Sequence, residues 1–163
     1  MPQNLAKSAF SVQETLKTFE LECKVLELPS STRTAVDAAS SIGCDIAQIV
    51  KSLIFKTKNT NKPVLVLASG PNQVDVKQIE TCLSESISKA DADFVREVTG
   101  FAIGGIPPIG HKKIIDLIYI DQDLMDLDEV WAAAGTPNSV FCIQSKDLLK
   151  ATSGKVINIK GTK

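Results

Sequence analysis

The sequence predicts an α+β domain with a mixed, mainly antiparallel β-sheet and helices packed around it. Segments with helical periodicity and segments rich in β-branched residues both occur along the chain, but they do not alternate strictly as in a parallel α/β fold. With 163 residues, 44% of them hydrophobic, the chain is long enough for one proper core and short for two. No repeat or linker interrupts it, so we expect one domain over residues 1–163.

The N-terminal half contains two predicted helices and a predicted hairpin. Ser11 and Glu14 form a capping-box pattern, and "SVQETLKTFELEC" continues with apolar residues at helical spacing. The segment "KVLELP" predicts a short strand, and "TAVDAASSIG" a helix that Gly43 stops. The segment "IVKSLIFKTK", the turn "NTNKP" and the apolar "VLVLAS" predict a hairpin at the centre of the sheet.

The C-terminal half continues the mixture of helices and strands. "VDVKQIETCLSES" and "DADFVREVTG" are predicted helices, the second capped by Asp91 and stopped by Gly100. "KIIDLIYID" predicts a strand, and the acidic "DQDLMDLDE" a solvated turn. "EVWAAAG" and "SVFCIQS" flank the turn "GTPN" as a second hairpin, although the alanines leave a helix open for the first. "SKDLLKATSG" predicts a short helix and "KVINI" a final strand.

The composition excludes several classes of protein. A net charge of -1 argues against coating nucleic acid along its length, although local lysine clusters leave a small basic footprint open. No apolar run reaches the length of a membrane span and the N-terminus has no signal-peptide pattern, so we expect a cytoplasmic protein without a membrane partner. The four cysteines lack metal or redox spacing and are expected to be reduced core residues. The acidic segment has no accompanying histidine, so no metal site is predicted.

Residues 100–113, "GFAIGGIPPIGHKK", form a segment too irregular for a helix or a strand. Gly105 to Gly110 followed by lysines comes near the phosphate-binding pattern G-x-x-x-x-G-K-[ST]. The match fails because His111 stands where lysine is needed and because Pro107 and Pro108 lack N–H groups. The prolines stiffen the backbone, while the glycines allow positive φ and close approach of another molecule. The segment therefore predicts a rigid wall with few side chains.

Lys51 is the residue of the first hairpin that does not fit its surroundings. Alternation along a strand places Lys51, Leu53 and Phe55 on one face, so a lysine shares an otherwise apolar face. Such a placement is costly unless the ammonium group reaches water or a partner. Periodicity leaves two interpretations open, a lysine that extends out to solvent from the strand end and a cation held at a pocket.

The order and spacing of these motifs resemble a known family. "IVKSLIF", "KPVLVLAS", "VDVKQIE", "TGFAIGGIPPIGHKK" and "VWAAAGTPNSVFCIQSKDLL" together look like the YbaK and prolyl-tRNA synthetase-associated domain family. The resemblance covers about residues 10–160. Its characterised members are free-standing or fused editing domains that deacylate mischarged tRNA. It implies a mixed, barrel-like sheet of six or seven strands surrounded by helices. We expect neither a cofactor nor a metal.

The resemblance also implies the site residues. The family's functional lysine falls on Lys51, which becomes the predicted catalytic residue, and its hydroxyl neighbour falls on Ser52. The pocket is expected between the Lys51 strand and the loop at 100–113. The predicted substrate-binding residues are Ser52, Gly104, Gly105, Ile106, Pro107, Pro108, Gly110, His111 and the strand-end glycine, Gly135.

The reaction that the resemblance implies is ester hydrolysis at the 3' terminal ribose of aminoacyl-tRNA. An aminoacyl ester is already activated, so positioning it and supporting the oxyanion with backbone donors can replace a strong nucleophile. The predicted partner is the acceptor end of the tRNA, and a synthetase is left open as a second one. The close glycine and proline wall suits a sieve that accepts only small amino acids.

One departure from the family bears on the amino acid removed. Members that remove cysteine from prolyl-tRNA carry a serine and an aspartate at what correspond to Ala133 and Val140. Cysteine specificity is therefore doubtful by resemblance, and esters of alanine, serine, threonine or cysteine are all retained as expected substrates.

Two residues have alternative explanations. His111 has a pKa range suited to a general base, but no orienting partner is evident, so a surface or tRNA-contact role is preferred. Trp131 suits base stacking or, more simply, the core. Two other functions stay open for the whole protein, a noncatalytic tRNA- or synthetase-associated binding module and a binder of a nucleotide or amino acid.

Overall fold

The computed structural model describes residues 7–29 and 34–160. Within these ranges the chain forms six α-helices and eight strands. The helices are α1 (Lys7–Thr18), α2 (Ala35–Ile42), α3 (Val76–Leu83), α4 (Ala92–Thr99), α5 (Gln122–Met125) and α6 (Ser145–Thr152). The strands are β1 (Leu26–Glu27), β2 (Ile49–Thr57), β3 (Pro63–Ser69), β4 (Ile87–Lys89), β5 (Leu117–Asp121), β6 (Glu129–Ala133), β7 (Ser139–Gln144) and β8 (Lys155–Ile157).

All eight strands belong to one mixed sheet. Its hydrogen-bonded order is β1-β7-β6-β2-β3-β5-β8, and β4 pairs with β2 beside this path. Antiparallel pairs join β1 to β7, β2 to β3, β2 to β4 and β6 to β7, whereas β2–β6, β3–β5 and β5–β8 are parallel. The β2–β3 hairpin lies at the centre. The predicted mixed, mainly antiparallel fold is thus confirmed, and both predicted hairpins form.

Apolar side chains of β2 enter cores on both faces of the sheet. Val50 and Ile54 belong to the larger core, which α1, α4 and α6 cover. Leu53 and Phe55 belong to a second core that α3 covers through Ile79. The alternation predicted from the sequence is therefore present, and it leaves Lys51 on the face of Leu53 and Phe55.

Local signals set the ends of two helices near the site. Thr34 accepts a hydrogen bond from Asp37 N at the start of α2, and Gly43 ends it with φ 84°. Asp91 caps α4 by accepting from Phe94 N, and Gly100 ends it with φ 81°. A side-chain acceptor before the first turn is the usual signal that starts a helix, and a left-handed glycine after the last turn is the usual signal that ends it.

Three sequence expectations about local structure were wrong. Ser11 lies inside α1 because the buried stripe of Ala9, Val12 and Leu16 extends the helix toward the N-terminus. The sheet has eight strands rather than six or seven, because β4 has only three residues, too few for a periodic signal. The acidic segment is not a solvated turn, since it includes α5 and the buried Asp121.

The cysteines are free thiols, but the prediction that they are core residues holds only in part, since Cys23 and Cys44 pack against hydrophobic cores. Cys82 is exposed, and the other three are only partly buried. Cys142 faces outward from β7, and its Sγ lies 3.3 Å from a Glu129 carboxylate oxygen. Burial and this carboxylate raise the pKa of the Cys142 thiol to about 12, so it is an unreactive neutral thiol at neutral pH.

Candidate active site

A cavity of about 490 Å³ lies between β2, β6 and the loop at 100–113. Residues 51–53 form its wall on β2, and Ile103, Gly104 and Ile106 form the wall on the loop. Ala132, Ala133 and Val140 contribute from β6 and β7, and Thr34, Ala35, Val36 and Ala38 close it from the side of α2. The lining is therefore mostly apolar, with Lys51 as its charged side chain within the described ranges.

The cavity exists because β2 and β6 separate. Their parallel pairing covers only Ile49 with Trp131 and Val50 with Ala132. On the same edge of β2, pairing with β4 begins at Phe55. No strand of the described chain pairs with residues 51–53 along this edge, so a gap opens in the middle of the sheet.

Ser52 presents unused polar groups in this gap. Ile54 O accepts from Ala90 N and Lys58 N donates to Ser86 O across the same edge. Alternate residues of a strand direct their N–H and C=O groups to the same edge, so both main-chain groups of Ser52 face the gap. Its hydroxyl oxygen is buried and has no hydrogen-bond partner among the described residues. A buried polar atom left unsatisfied is costly and calls for a missing partner.

The ammonium group of Lys51 is held in place. Its Nζ donates a 2.6 Å hydrogen bond to the main-chain oxygen of Asn72, which follows β3. Burial lowers the pKa of Lys51, and the nearby negative charge of Asp121 partly opposes this change. The lysine is thus neither free in solvent nor paired directly with a carboxylate, and its charge is available to a ligand in the cavity.

Gly105 and Gly135, both predicted to bind substrate, do not line the cavity. They lie where the loop packs closely against the β6–β7 turn and against α1. Gly105 O accepts from Gly135 N at 2.8 Å, and Gly105 N donates to Ala102 O at 3.1 Å. A Cβ on Gly105 would lie 2.9 Å from the main chain of Thr136, and one on Gly135 would lie 2.8 Å from Ser8 O. Because the Gly105 N–H group already donates to Ala102 O, it is not free to act as an oxyanion donor.

The second half of the loop lies behind the cavity lining. Pro107 and Pro108 are buried, and a Cβ on Gly110 would lie 3.0 Å from the Thr15 hydroxyl. His111 is partly buried, and its Nε2 lies 2.7 Å from Pro107 O. Since a carbonyl oxygen only accepts, Nε2 carries the proton. Burial lowers the pKa of His111, so the ring is neutral at pH 7 and braces the loop.

Four of the predicted site residues therefore share the cavity, namely Lys51, Ser52, Gly104 and Ile106. Their roles stay predictions. The predicted residues that do not line it are Gly105, Pro107, Pro108, Gly110, His111 and Gly135.

Sequence reasoning missed several residues that the structure places at the site. Val36 and Ile103 line the cavity although each side chain is more than half exposed, at 62% and 57%. Gly70 also lines it, and Asn72 holds Lys51. The signal for the last two was present, because "SGPN" after an apolar strand is a turn sequence. Trp131, left open between core and stacking, is partly buried and lines the cavity.

A larger open groove of about 840 Å³ lies on the outer side of β6 and β7 and shares Trp131 with the cavity. Its charged groups include Glu20, Glu22, Glu129 and Asp147 against Lys24 and Lys150. An acidic excess disfavours a phosphate-bearing ligand. We therefore place the site in the smaller cavity, which combines a cation with unused main-chain groups. Within residues 7–29 and 34–160, no cluster of acidic, cysteine or histidine side chains has the geometry of a metal site.

Comparison with known proteins identifies similar sequences. A sequence profile described as aminoacyl-tRNA editing domain matches residues 29–151. Protein YwhH of Bacillus subtilis, described as uncharacterized, is 29% identical over 146 residues, which cover 90% of this chain and 92% of that protein. EbsC of Enterococcus faecalis, described as a candidate Cys-tRNA(Pro)/Cys-tRNA(Cys) deacylase, is 23% identical over 77% of this chain and 76% of its own length.

Synthetases and solved structures extend the comparison. Proline--tRNA ligase of Limosilactobacillus fermentum is 27% identical over 76% of this chain, which spans only 22% of that ligase. A crystal structure described as a candidate trans-editing enzyme for prolyl tRNA synthetase superposes with a TM-score of 0.92. That protein is 42% identical, and the match covers 98% of this chain and 100% of the other. The resemblance recognised from the motifs is confirmed, and the chain belongs to the aminoacyl-tRNA editing domain family.

Proposed function

We propose that this protein is a trans-editing deacylase that hydrolyses the ester of a small mischarged amino acid on tRNA, with alanine preferred. Serine, threonine and cysteine are the other small amino acids considered. The observation that carries the proposal is the cavity where the anchored Lys51 ammonium and the unpaired main chain of Ser52 lie beside an apolar wall. Membership of the editing family supports the reaction class.

The cavity supplies what ester hydrolysis needs without a protein nucleophile. The Ser52 N–H group faces the gap, and the Gly104 N–H group has no partner within the described chain. We propose that these two donors support the oxyanion that forms when water attacks the ester carbonyl. Lys51 would steady the carbonyl or a phosphate of the terminal nucleotide. Removing one such donor typically lowers kcat by about 100-fold to 1000-fold.

The chemistry of the wall favours an alanyl ester. Ala133 and Val140 line the cavity where cysteine-removing relatives are expected to carry polar residues. No carboxylate from the described residues lines it, so the substrate ammonium group has main-chain oxygens such as Ser52 O as its acceptors. A hydroxyl or thiol on the substrate would be buried against this wall without a partner, which is unfavourable.

The exposed mouth of the cavity suits the end of a tRNA. Val36 and Ile103 stand on its rim with much of their side chains in solvent. The relatives named as proline--tRNA ligases and as prolyl editing proteins support a tRNA of the prolyl system as substrate. We propose that the protein acts in trans, on released aminoacyl-tRNA or beside a synthetase, in the compartment where tRNA is charged. No helix in the described ranges is long and apolar enough to cross a membrane.

A panel of mischarged tRNAs tests the proposal. The tRNA for proline, tRNA(Pro), is charged with alanine, serine, threonine, cysteine or proline and incubated with the wild type or with Lys51→Ala. The rate of ester loss is compared with the spontaneous rate. We expect alanine to be released fastest and Lys51→Ala to lose most of this activity. Lys58→Ala, which removes an exposed lysine at the end of the same hairpin, is the matched control and should be unaffected.

Two results would contradict the proposal and favour a different function. Tight binding of tRNA with no ester loss above the spontaneous rate would indicate a noncatalytic module. Indifference to every charged and uncharged tRNA would indicate a binder of a small molecule.

A further inference from the structure

We propose that Asn72 and Asp121 are positioning residues for Lys51, which fix its ammonium group at the cavity and maintain its charge. The inference rests on the proposed function for its meaning in catalysis, but its structural content is testable without a substrate. Neither residue carries a signal in the motifs that identify the family, and Asp121 belongs to the acidic segment that the sequence analysis treated as solvated.

The carbonyl that holds Lys51 belongs to a tightly fixed turn at residues 69–72. Asn72 N donates to Ser69 O at 2.9 Å, which closes the turn, and Ser69 Oγ donates to Ala47 O at 2.6 Å. Gly70 packs so closely that a Cβ there would lie 2.3 Å from Ile46 O. The main-chain oxygen of Asn72 is therefore a fixed acceptor, and Lys51 Nζ lies 2.6 Å from it.

The side chain of Asp121 ties this turn to the end of β5. Its Oδ2 accepts from Ser69 N at 3.0 Å and from the Asn72 amide at 2.7 Å. Its Oδ1 accepts from Asp123 N at 2.9 Å, at the start of α5. Asp121 is only 1% exposed, and no cation bonds to it directly among the described residues. A buried carboxylate with three N–H donors and no bonded cation is a strong local source of negative potential.

The other charged groups of this cluster are further from the cavity. Asp123 accepts from the Asn72 amide at 2.7 Å and pairs with Lys160 at 2.8 Å on the partly exposed side. The negative charge of Asp123 is thus largely neutralised by Lys160. Asp121 is the carboxylate whose negative charge acts on Lys51. Asp45, which caps the 3-10 turn Ile46–Gln48 on the opposite side, is exposed and bonds to Ala47 N.

These contacts give Asp121 a role beyond capping α5. The desolvation of Lys51 favours loss of its proton, and the negative charge of Asp121 opposes that loss. Without Asp121 the ammonium group would titrate at lower pH, and without the Asn72 amide the turn would lose the bridge that holds its carbonyl in place. A capping residue with no such role would change stability and leave the titration of Lys51 unchanged.

The titration of Lys51 can be measured directly by NMR on protein with isotope-labelled lysine side chains, with the Lys51 signal assigned by its absence in Lys51→Arg. The main variant is Asp121→Asn, which keeps the shape of the side chain and removes its charge. The matched control is Asp75→Asn, because Asp75, although less buried than Asp121, likewise caps a short helix by accepting from Lys77 N, away from the cavity. The same proteins are assayed for deacylation as a function of pH.

We expect Asp121→Asn to lower the Lys51 pKa, because the opposing negative charge is gone, and Asp75→Asn to leave it unchanged. The alkaline limb of the deacylation profile should shift to lower pH by the same amount in Asp121→Asn alone. If Asp121→Asn fails to fold, Asn72→Ala replaces it, and its Lys51 ammonium protons should exchange with water at least several-fold faster than in the wild type.

An unchanged Lys51 pKa in folded Asp121→Asn, or unchanged proton exchange in Asn72→Ala, would overturn the inference. A wild type that hydrolyses no aminoacyl-tRNA but shows the expected change in Lys51 titration would refute the proposed function and leave the positioning role standing.

Discussion

Ala133 and Val140 lie directly opposite each other in the β6–β7 pair, and both side chains line the cavity that Lys51 enters. Cross-strand neighbours of this kind present one continuous surface to a ligand. The surface here is small and apolar on both strands. It is the feature that most directly sets which acyl group the site accepts.

The change Ala133→Ser should shift selectivity toward serine esters. A hydroxyl placed on this wall gives the substrate hydroxyl a partner, and one such hydrogen bond contributes about 1 kcal/mol, or roughly 5-fold in the ratio of kcat/KM for serine over alanine. Competition between seryl- and alanyl-tRNA measures this ratio. The control is Cys142→Ser, on the same face of β7 but outside the cavity, which should leave the ratio unchanged. An equal ratio in Ala133→Ser and wild type would show that the acyl group does not meet this wall.

Gly105→Ala should destabilise the protein although Gly105 does not line the cavity. Its new Cβ would lie 2.9 Å from the main chain of Thr136, and two backbones must separate to admit it. We expect the free energy of unfolding to fall by about 1–3 kcal/mol, measured by urea denaturation. Gly104→Ala is the comparison, because its Cβ meets nothing within 4 Å and only its φ of +102° is unfavourable. Wild-type stability in Gly105→Ala would contradict the packing described.

His111 should make the protein less stable in mild acid. Burial lowers its pKa in the folded state below 6.5, so the unfolded chain binds the proton first as pH falls. The free energy of unfolding is therefore lost as pH drops below 6.5. His111→Gln keeps an N–H donor for Pro107 O and does not titrate, so its loss between about pH 8 and pH 5 should be smaller. Parallel curves for the two proteins would exclude this contribution.

Lys51→Met should remove activity without lowering stability. Burial lowers the pKa of Lys51 in the fold, so the charged form is penalised at neutral pH and the penalty is relieved as pH rises toward 10.5. Methionine has a similar length and no charge, so we expect the free energy of unfolding at pH 7 not to fall. Thermal and urea unfolding measure it. A marked loss of stability would indicate that the Asn72 contact serves the fold itself.

Most of the sheet could be predicted from the sequence because its signals are local. The alternation in β2 and β3, the turns at 58–62 and 135–138, and the caps Asp91 and Gly100 each act within a few residues. The strands that were missed or underestimated are short. The three-residue strand β4 (Ile87–Lys89) has only Ile87 buried. It forms because it can pair with the free edge of β2, and the local sequence gives no sign of that edge.

The site was only partly predictable, because its key contacts join distant parts of the chain. The motifs singled out Lys51 and Gly104, which line one cavity, and resemblance supplied that pairing. The burial of Asp121 depends on Ser69 and Asn72, about fifty residues earlier, so a run of acidic residues looked solvated. Likewise, Gly105 and Gly135 looked like ligand-binding glycines, whereas each makes room for another part of the protein backbone.

The most direct test is the single-turnover rate at which wild type and Lys51→Met release alanine from tRNA(Pro) that carries an alanyl ester. We expect ester loss well above the spontaneous rate for the wild type, and a rate lower by about 100-fold or more in folded Lys51→Met. Equal rates for the two proteins, or a wild type no faster than buffer, would contradict this expectation.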